Sequence, residues 1–314
     1  MTVDLIVNPA SGPARRDLPR HERLRFVSAL LHARGATTIR ATQTSGVGDA
    51  ARAAHEARRL GTDLVVVWGG DGTLNEVAGP LLGTRIPVGL VPGGSGNGFA
   101  RGLGLPLTVE AAVQMAVSGD PLAIDTGVVS GRAFLNLAGV GFDAAVAARV
   151  NAGNVRRGLR PYLRAILHEW QTFDSQRFRI TLDDQPAFEV DAHLVVVCNG
   201  QQYGHGARIA PAAAFDDGVL DVVVVPRITM ARLLRDGWRL FNGTVGEVAG
   251  VRTARAARVE LSHEAPLPVH LDGEVVAADT SRTFAVRPHS LRVKVGREAS
   301  ANLTSVSRRV LPPR

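Results

Sequence analysis

The length, composition and cysteine content of the chain exclude several classes of protein. Its 314 residues are enough for two domains, and 45% hydrophobic against 21% charged residues is the composition of a globular chain. A single cysteine, Cys198, rules out an internal disulfide and a multi-cysteine zinc site. No apolar run approaches the roughly 20 residues that a bilayer-spanning helix requires, and the N-terminus carries a strand pattern instead of a signal peptide. We therefore expect a cytoplasmic protein.

The formal net charge of +7 comes almost entirely from arginine, because Lys294 is the only lysine. The charge alone fits nucleic acid, nucleotide phosphates or the anionic inner face of a membrane. Nucleic acid is the weakest of these, since aromatic residues make up only 5% and no arginine cluster alternates with stacking rings. The single lysine also excludes a P-loop and the protein-kinase scaffold, which both need a lysine near the phosphates. Any phosphoryl transfer must use another scaffold.

Up to about residue 125, short apolar runs alternate with helical patterns, which predicts a parallel sheet covered by helices on both faces. The predicted strands are Val3–Val7, Thr37–Ala41, Leu64–Trp68 and Pro87–Val91. The predicted helices are His21–Arg34, Gly48–Leu60, Thr73–Leu82 and Val109–Ser118. A polar, glycine-containing turn follows each strand. Because parallel strands end at one edge of their sheet, where open α/β sheets bind ligands, these four turns are predicted to share one site.

The most informative turn reads Gly69-Gly70-Asp71-Gly72-Thr73-Leu74-Asn75, directly behind the apolar run Leu64–Trp68. Glycines permit positive φ and close backbone approach, and the N–H groups that open the following helix favour an anion. The pattern predicts a phosphate site. Asp71 alone would repel a phosphate, so we expect its carboxylate to act through a bridging Mg²⁺ or to hold a hydroxyl group.

From about Asp125 onward, short apolar runs predict an antiparallel sandwich. They are Arg177–Leu182, Ala192–Cys198, Leu220–Val225, Arg258–Leu261 and Pro268–Leu271. Two helical patterns, Val155–Phe173 and Thr229–Phe241, interrupt them. The first carries four arginines, at positions 156, 157, 160 and 164, and fits either contact with anionic lipid or a helix packed on its own domain with a solvated basic face.

The last predicted strand, Ser290–Val295, is expected to return to the first domain. The expected domains are therefore 1–125 together with 288–314, and 126–287. The final dozen residues have the composition of a disordered tail.

Six short motifs in a fixed order resemble those of the bacterial diacylglycerol kinase-like lipid kinases, which are related to sphingosine kinases and, more distantly, to NAD kinases. They are Asn8 to Gly12, Gly69 to Asn75, Gly93 to Asn97 followed by Phe99-Ala100-Arg101, Gly139 to Asp143, Pro211 to Asp221, and Asp272-Gly273-Glu274. The resemblance spans nearly the whole chain. It implies the NAD kinase/diacylglycerol kinase-like fold, with an α/β N-terminal domain and an all-β antiparallel C-terminal sandwich. It also implies that ATP lies in the cleft between a nucleotide-binding and a lipid-acceptor domain.

By motif position, the resemblance assigns ATP contacts to one set of residues. They are Asn8, Thr44, Gly69, Gly70, Asp71, Gly72, Thr73, Asn75 and Ser95. Ser95 replaces the threonine of many relatives and keeps the hydroxyl group. Gly98 replaces an aspartate that is usual in relatives, and we assign it no role.

Mg²⁺ would accompany ATP, and the resemblance implies a second Mg²⁺ with a structural and regulatory role. Its ligands would be the carboxylate of Asp217 and the backbone carbonyls of Ala214 and Val219. Hard oxygen ligands in a tight turn suit this ion. Without the resemblance, Asp216-Asp217-Gly218 is equally an ordinary surface turn.

Glu274 is the residue we expect to act as general base, because a lipid hydroxyl is a poor nucleophile and a nearby carboxylate can accept its proton. Asp71 is the rival base, as in the sphingosine kinase branch. Taken alone, Asp272-Gly273-Glu274 also fits a solvated Asp-Gly hairpin turn.

We therefore expect an ATP- and Mg²⁺-dependent lipid kinase that transfers the γ-phosphate to a hydroxyl of diacylglycerol or a similar lipid. The alternatives are an NAD kinase-like phosphotransferase with a soluble acceptor, and a nucleotide-binding regulatory protein without catalysis, which the missing aspartate at Gly98 keeps open. The expected partners are ATP and a lipid at the membrane surface, and not nucleic acid. The sequence leaves open a peripheral contact with the inner face of the membrane, a homodimer, and the identity of the acceptor.

Overall fold

The computed structural model describes residues 1–12, 18–149, 166–170 and 173–297. The predicted helix Val155–Phe173 lies mostly outside these residues, as do its four arginines and the predicted C-terminal tail; residues 166–170 are helical. Residue contacts divide the chain into two units, one of Met1–Asp125 with Pro288–Arg314 and one of Thr126–Arg287.

Unit 1 contains a parallel sheet covered by helices. Its strands are β1 (Thr2–Val7), β2 (Thr38–Gln43), β3 (Leu64–Gly69) and β4 (Pro87–Pro92). They pair in parallel in the order β2, β1, β3, β4. Every residue of β3 is buried, as expected of a strand that is covered on both faces and therefore reads as an unbroken apolar run.

The helices of unit 1 are α1 (Arg23–His32), α2 (Asp49–Arg59), α3 (Asp71–Leu81), α4 (Gly98–Gly102) and α5 (Val109–Ser118). The predicted start of α3 at Thr73 is wrong: the helix begins at Asp71, directly after Gly70. A carboxylate in the first turn is stabilised by the helix dipole, so Asp71 favours this earlier start. The sequence did not predict α4, because a five-residue segment that begins and ends with glycine has low helix propensity.

Unit 2 is an antiparallel sandwich. Its strands are β6 (Arg132–Phe134), β7 (Leu137–Gly141), β8 (Gln176–Leu182), β9 (Phe188–Ala192), β10 (Leu194–Cys198), β11 (Gln202–Gly204), β12 (Ala207–Arg208), β13 (Leu220–Val225), β14 (Arg252–Ala256) and β15 (Arg258–Leu271). Two strands, β5 (Asp120–Val129) and β16 (Glu274–Val295), cross the boundary along the chain. One path through the sheet runs β14, β13, β10, β7, β15, β16.

The predicted strand Ala192–Cys198 is in fact two strands that meet at His193. β9 pairs with β8, whereas β10 pairs with β7 and β13, so the chain changes partners at this residue. Cys198 is fully buried in β10, and burial raises the pKa of its thiol well above the ordinary range.

Two predicted short strands, Arg258–Leu261 and Pro268–Leu271, join into the single strand β15. Pro266 and Pro268 interrupt the apolar pattern, and the register with β16 shifts between Ser262 and Val269, as at a β-bulge. β16 ends inside unit 1, where Arg292 and Val293 pair in parallel with β4.

Unit 2 also contains the helices α6 (Phe142–Arg149), α7 (Met230–Asp236) and α8 (Arg239–Asn242). The predicted helix Thr229–Phe241 thus corresponds to α7 and α8. Among the residues that the structure describes, no helix has the length and apolar character needed to cross a membrane.

Candidate functional site

The turns that follow the strands of unit 1 contact one another at one edge of the sheet. Asn8 follows β1, and its Nδ2 donates a hydrogen bond of 2.8 Å to Oγ1 of Thr73 in α3. The backbone N–H of Gly93, which follows β4, donates to the carbonyl of Gly69 at 2.7 Å. Three of the predicted turns are therefore joined directly by hydrogen bonds.

Glycine is required at positions 69 and 94 because other atoms lie too close for a side chain. A Cβ atom added to Gly94 would lie 2.9 Å from the Cα of Gly70, and one added to Gly69 would lie 2.5 Å from the Cβ of Thr73. Both distances are shorter than side chains tolerate. The glycines that the sequence assigns to phosphate binding thus also allow two turns to approach each other.

The Asp71 carboxylate joins the same two turns. Its oxygens accept hydrogen bonds from the backbone N–H groups of Gly98 at 3.0 Å and Phe99 at 3.2 Å, at the start of α4. Asp71 therefore lies in the first turn of α3 and also caps α4, so two helix N-termini stabilise its negative charge.

The turn after β2 is held against α3. Thr44 is buried, and its backbone N–H donates to the carbonyl of Val7 at 2.9 Å. Glu76 in α3 accepts a 3.0 Å hydrogen bond from the backbone N–H of Gly48. The turn leads into Asp49, the first residue of α2, whose carboxylate accepts hydrogen bonds from Ser45 and Gly46 that hold its pKa at about 2.

The sequence reasoning missed Glu76 and Asp49. Asp49 carries a usable signal, because an acidic residue at the start of a helix after a Ser-Gly turn fits a capping role. Of the remaining predicted ATP contacts, Gly72 and Asn75 lie in the first two turns of α3, and Ser95 lies in the turn after β4. All the residues predicted to contact ATP thus gather at the C-terminal edge of the unit 1 sheet. Small side chains, a helix N-terminus and the Thr73 hydroxyl fit a chain of phosphates.

In unit 2, Asp272 and Gly273 form the two-residue turn that connects β15 to β16. Their φ angles are 50° and 92°, and Leu271 pairs with Glu274, as in a hairpin of type I′. Glu274 is the first residue of β16, directly after this turn, and its role as general base stays a prediction. Its Oε2 lies 3.2 Å from Nη2 of Arg132, in a pair whose two side chains are 37% and 51% exposed.

A buried polar network lies beneath this hairpin. His270 Nε2 is 2.9 Å from Oδ2 of Asp143, which also accepts a 3.0 Å hydrogen bond from the Tyr203 hydroxyl. The backbone N–H of Gly273 donates to His270 Nδ1 at 3.3 Å. Because Nδ1 accepts this bond, the ring proton of the neutral imidazole sits on Nε2 and is donated to Asp143.

The network explains the motif Gly139 to Asp143. A Cβ atom at Gly139 would overlap both the Asp143 carboxylate and the His270 ring, so only glycine fits. The motif also matches a dinucleotide-binding pattern, but its strand β7 has antiparallel neighbours, unlike the strands of a Rossmann unit. No sequence signal pointed to His270, since its partner Asp143 lies 127 positions away.

In the turn predicted to hold the second Mg²⁺, the carboxylate of Asp217 is already paired with an arginine side chain. The Arg255 guanidinium contacts Oδ2 of Asp217, a side chain only 3% exposed. Oδ1 of Asp217 accepts a 3.3 Å hydrogen bond from the backbone N–H of Val219. Nε of Arg255 also lies 3.8 Å from Oδ2 of Asp221, and burial raises the pKa of that carboxyl to about 6.

These residues fit Mg²⁺ by chemistry, because a carboxylate and the carbonyls of Ala214 and Val219 are hard oxygen ligands. The fit requires Arg255 to release Asp217. The described residues contain no cluster of three or more His, Cys, Asp or Glu side chains suited to a metal, so such a site depends on backbone carbonyls. A cavity of about 430 Å³ borders Arg255 and Asp221.

Two protein-family models match the chain in succession. The diacylglycerol kinase catalytic domain matches residues 2–129, and the YegS C-terminal NAD kinase beta sandwich-like domain matches residues 136–295. A diacylglycerol kinase of Mycobacterium tuberculosis is 34% identical over 254 residues, which cover 76% of this chain and 81% of the relative. A probable YegS-like lipid kinase of Pseudomonas fluorescens is 34% identical over 256 residues, covering 78% and 82%.

Solved structures of related kinases have a similar fold. A diacylglycerol kinase from Bacillus anthracis superposes with a TM-score of 0.76 at 27% identity, over 95% of this chain and 98% of that one. An NAD kinase from Archaeoglobus fulgidus superposes with a TM-score of 0.54 at 12% identity, over 99% and 100%. The second likeness shows a shared fold alone.

Proposed function

Because this chain belongs to the family of diacylglycerol kinases and YegS-like lipid kinases, we propose that it transfers the γ-phosphate of ATP to a hydroxyl of diacylglycerol or a similar lipid, with Mg²⁺. The observation that carries the proposal is the set of contacts that joins Asn8, Asp71 and the Gly93 turn at one edge of the unit 1 sheet. A lipid acceptor further implies a cytoplasmic protein that works at the inner face of the membrane.

Unit 1 supplies the phosphate donor. The N-terminus of α3 and the glycine turns would bind the phosphates of ATP through backbone N–H groups, and Thr73 and Asn75 would add side-chain donors. The single lysine is bound elsewhere in the unit, since Lys294 Nζ donates to the carbonyl of Gly119 at 2.8 Å. Mg²⁺ bound with ATP would neutralise part of the phosphate charge, and we expect the Asp71 carboxylate to help hold it.

Unit 2 supplies the base. The lipid hydroxyl oxygen attacks the γ-phosphorus, its proton passes to a carboxylate oxygen of Glu274, and the bond from phosphorus to the leaving oxygen of ADP breaks. Glu274 suits this role better than Asp71, because both oxygens of Asp71 accept backbone N–H groups. Arg132 and the fixed Asp272-Gly273 turn would orient the Glu274 side chain.

The variant Glu274→Gln tests the assignment because it keeps the size of the side chain and removes the base. We expect turnover of dispersed diacylglycerol with labelled ATP to fall about 100-fold or more, while binding of a fluorescent ATP analogue is unchanged. Asp71→Asn is the matched comparison, and it should weaken ATP binding as well.

Normal turnover by Glu274→Gln would show that another group is the base. Parallel reactions with NAD as acceptor distinguish a lipid kinase from an NAD kinase. Phosphorylation of NAD alone would show that the protein is an NAD kinase. A wild-type protein that binds ATP but phosphorylates neither acceptor would support a regulatory protein.

A further inference from the structure

One helical segment of unit 2 exposes a row of large apolar side chains that the described part of the chain leaves uncovered. Helices α7 and α8 are joined by Gly237 and Trp238, whose backbone angles are those of a right-handed helix. The segment therefore follows a single helical path from residue 230 to residue 242. This continuity allows its faces to be compared along the whole length.

Two apolar rows run along this path. Met230, Leu233 and Leu240 pack on the core of the sandwich. The second row consists of Leu234, Trp238 and Phe241, which are 67%, 56% and 49% exposed. Residues spaced by four and three positions lie on one helix face, so these three side chains form one contiguous apolar stripe. Single exposed apolar residues are ordinary, but a contiguous patch marks an interaction surface.

The segment that carries the apolar stripe has a net positive charge, although Asp236 pairs with Arg232 and Arg235 and Glu247 pairs with Arg239. Residues 227–247 contain four arginines and two carboxylates, which leaves a net charge of +2. The arginines are Arg227, Arg232, Arg235 and Arg239, and the acids are Asp236 and Glu247. The guanidinium of Arg239 lies over the Trp238 ring, 5.3 Å from its centre. Tryptophan, large aliphatic side chains and arginine on one helix are typical of segments that lie in a membrane interface.

We propose that the apolar stripe inserts into the headgroup region of a bilayer that contains anionic lipid. The three apolar side chains would leave water, and the surrounding arginines would meet lipid phosphates. The purpose of the contact rests on the proposed function, because a lipid acceptor resides in a bilayer. The contact itself rests only on the exposure and charge of this segment.

A second copy of the chain fits this surface poorly. Three side chains of this size, about half exposed, offer roughly 300 Å², whereas a stable interface removes about 800 Å² from each partner. A symmetric dimer would also place the arginines of both copies against each other. A bilayer avoids both the small contact area and the charge repulsion, since its surface is much larger than the stripe and its phosphates are negative.

The fluorescence of Trp238 provides a specific test. The other two tryptophans, Trp68 and Trp170, are 0% and 8% exposed. Quenching by vesicles of brominated phosphatidylglycerol and phosphatidylcholine therefore reports on Trp238. We expect quenching by these vesicles and weaker quenching by vesicles of phosphatidylcholine alone. Replacing Trp238 by Ala should reduce co-sedimentation with the anionic vesicles about tenfold, and Leu234→Gln with Phe241→Gln should act in the same direction.

Leu60→Gln is the matched control, because Leu60 is an exposed leucine of unit 1, and its vesicle binding should equal that of the wild type. Thermal melting should show that every variant is folded. Equal quenching by both kinds of vesicle, or equal sedimentation of the Trp238→Ala variant, would overturn the proposal. So would a wild-type dimer that this variant converts to a monomer.

Turnover of a short-chain, water-soluble diacylglycerol separates this inference from the proposed function. Trp238→Ala should leave that turnover unchanged and lower turnover only on vesicles. If the wild-type protein binds vesicles but phosphorylates no lipid, the proposed membrane contact stands and the proposed kinase activity is rejected. If Trp238→Ala does not change turnover on vesicles, the kinase activity is retained and the membrane contact is rejected.

Discussion

Asp272 accepts three backbone hydrogen bonds, from the N–H groups of Leu135 at 2.7 Å, Asn136 at 2.9 Å and Leu137 at 3.0 Å. Asp71 accepts two, from Gly98 and Phe99. In both cases a carboxylate in a glycine turn fixes that turn to a distant segment. The chemistry assigned to Asp71 therefore comes in addition to a structural role that it shares with Asp272.

The first prediction concerns Asp272. Replacing it by alanine leaves three N–H groups without their charged acceptor, so we expect the free energy of unfolding to fall by about 2–4 kcal/mol. Urea unfolding followed by circular dichroism measures this change. Asp184→Ala is the control, because Asp184 is an exposed aspartate of a surface turn and should change stability little. Equal effects of the two substitutions would show that the three hydrogen bonds do not stabilise the hairpin.

Residue identities in the motifs were predictable from sequence, but their partners were not. The sequence singles out Asp71, Asp217 and Glu274, whereas the groups that bind them are backbone amides or arginines far along the chain. Arg132 lies 142 positions before Glu274, and Arg255 lies 38 positions after Asp217. Such pairings depend on strand register, which short motifs do not contain.

At the scale of elements, strands that alternate with helices were easier to predict than long hairpins. Periodicity identifies β3 and α5 because each has an unbroken apolar pattern within clear turn signals. It divides β15 and misses most of β16, because exposed polar residues and prolines interrupt the apolar pattern there. Backbone pairing continues through such residues when a bulge absorbs the irregularity.

The second prediction concerns the turn 214–219 and the neighbouring strand β14. Arg255 competes with any cation for the Asp217 carboxylate, so Arg255→Met should leave a buried negative charge and lower the melting temperature in EDTA. Added Mg²⁺ should restore much of that loss, because the released carboxylate and the nearby carbonyls can then bind the ion. Melting with and without Mg²⁺ measures both effects, independently of activity.

The double variant Asp217→Asn with Arg255→Met is the control for this prediction, since it removes the carboxylate that Mg²⁺ would bind. It should not respond to the ion. If the wild type is already stabilised strongly by Mg²⁺ and Arg255→Met adds nothing, then Arg255 does not compete with the metal.

For the whole molecule, the boundary between the two units lies where the pattern of the sequence changes. Strand and helix patterns alternate up to residue 125, and short strands dominate afterwards. The buried polar residues of unit 2, such as His193 and the network around His270, produce no recognisable pattern in the sequence. Their burial depends on several strands packing together, which composition and periodicity do not show.

The last prediction concerns how stability depends on pH. His193 is 2% exposed, and its ring lies beside those of Trp170 and Phe173. Burial, helped by the charge of Arg227, lowers its pKa below the ordinary value of 6.5, while Asp174 opposes the shift. Burial also lowers the pKa of His263. Below pH 6.5 the unfolded chain therefore binds protons that the folded chain does not, and stability falls until the folded pKa is reached.

Above that pH both states are neutral at these positions, so the contribution of the two histidines to the free energy of unfolding should be flat between about pH 7 and 8 and decline below about 6.5. Asp221 titrates in the same window with the opposite sign: burial raises its pKa to about 6, above the ordinary value of 3.8, so its contribution to stability grows as the pH falls through 6. Asp49, whose pKa is about 2, acts at lower pH, because its stabilisation is lost only as it gains a proton. Urea unfolding at closely spaced pH values measures the slope. His193→Phe keeps an aromatic ring in the site and should reduce the slope near pH 6, and a further substitution of His263 should remove most of what remains. An unchanged slope in the double variant would show that other groups control this part of the pH profile.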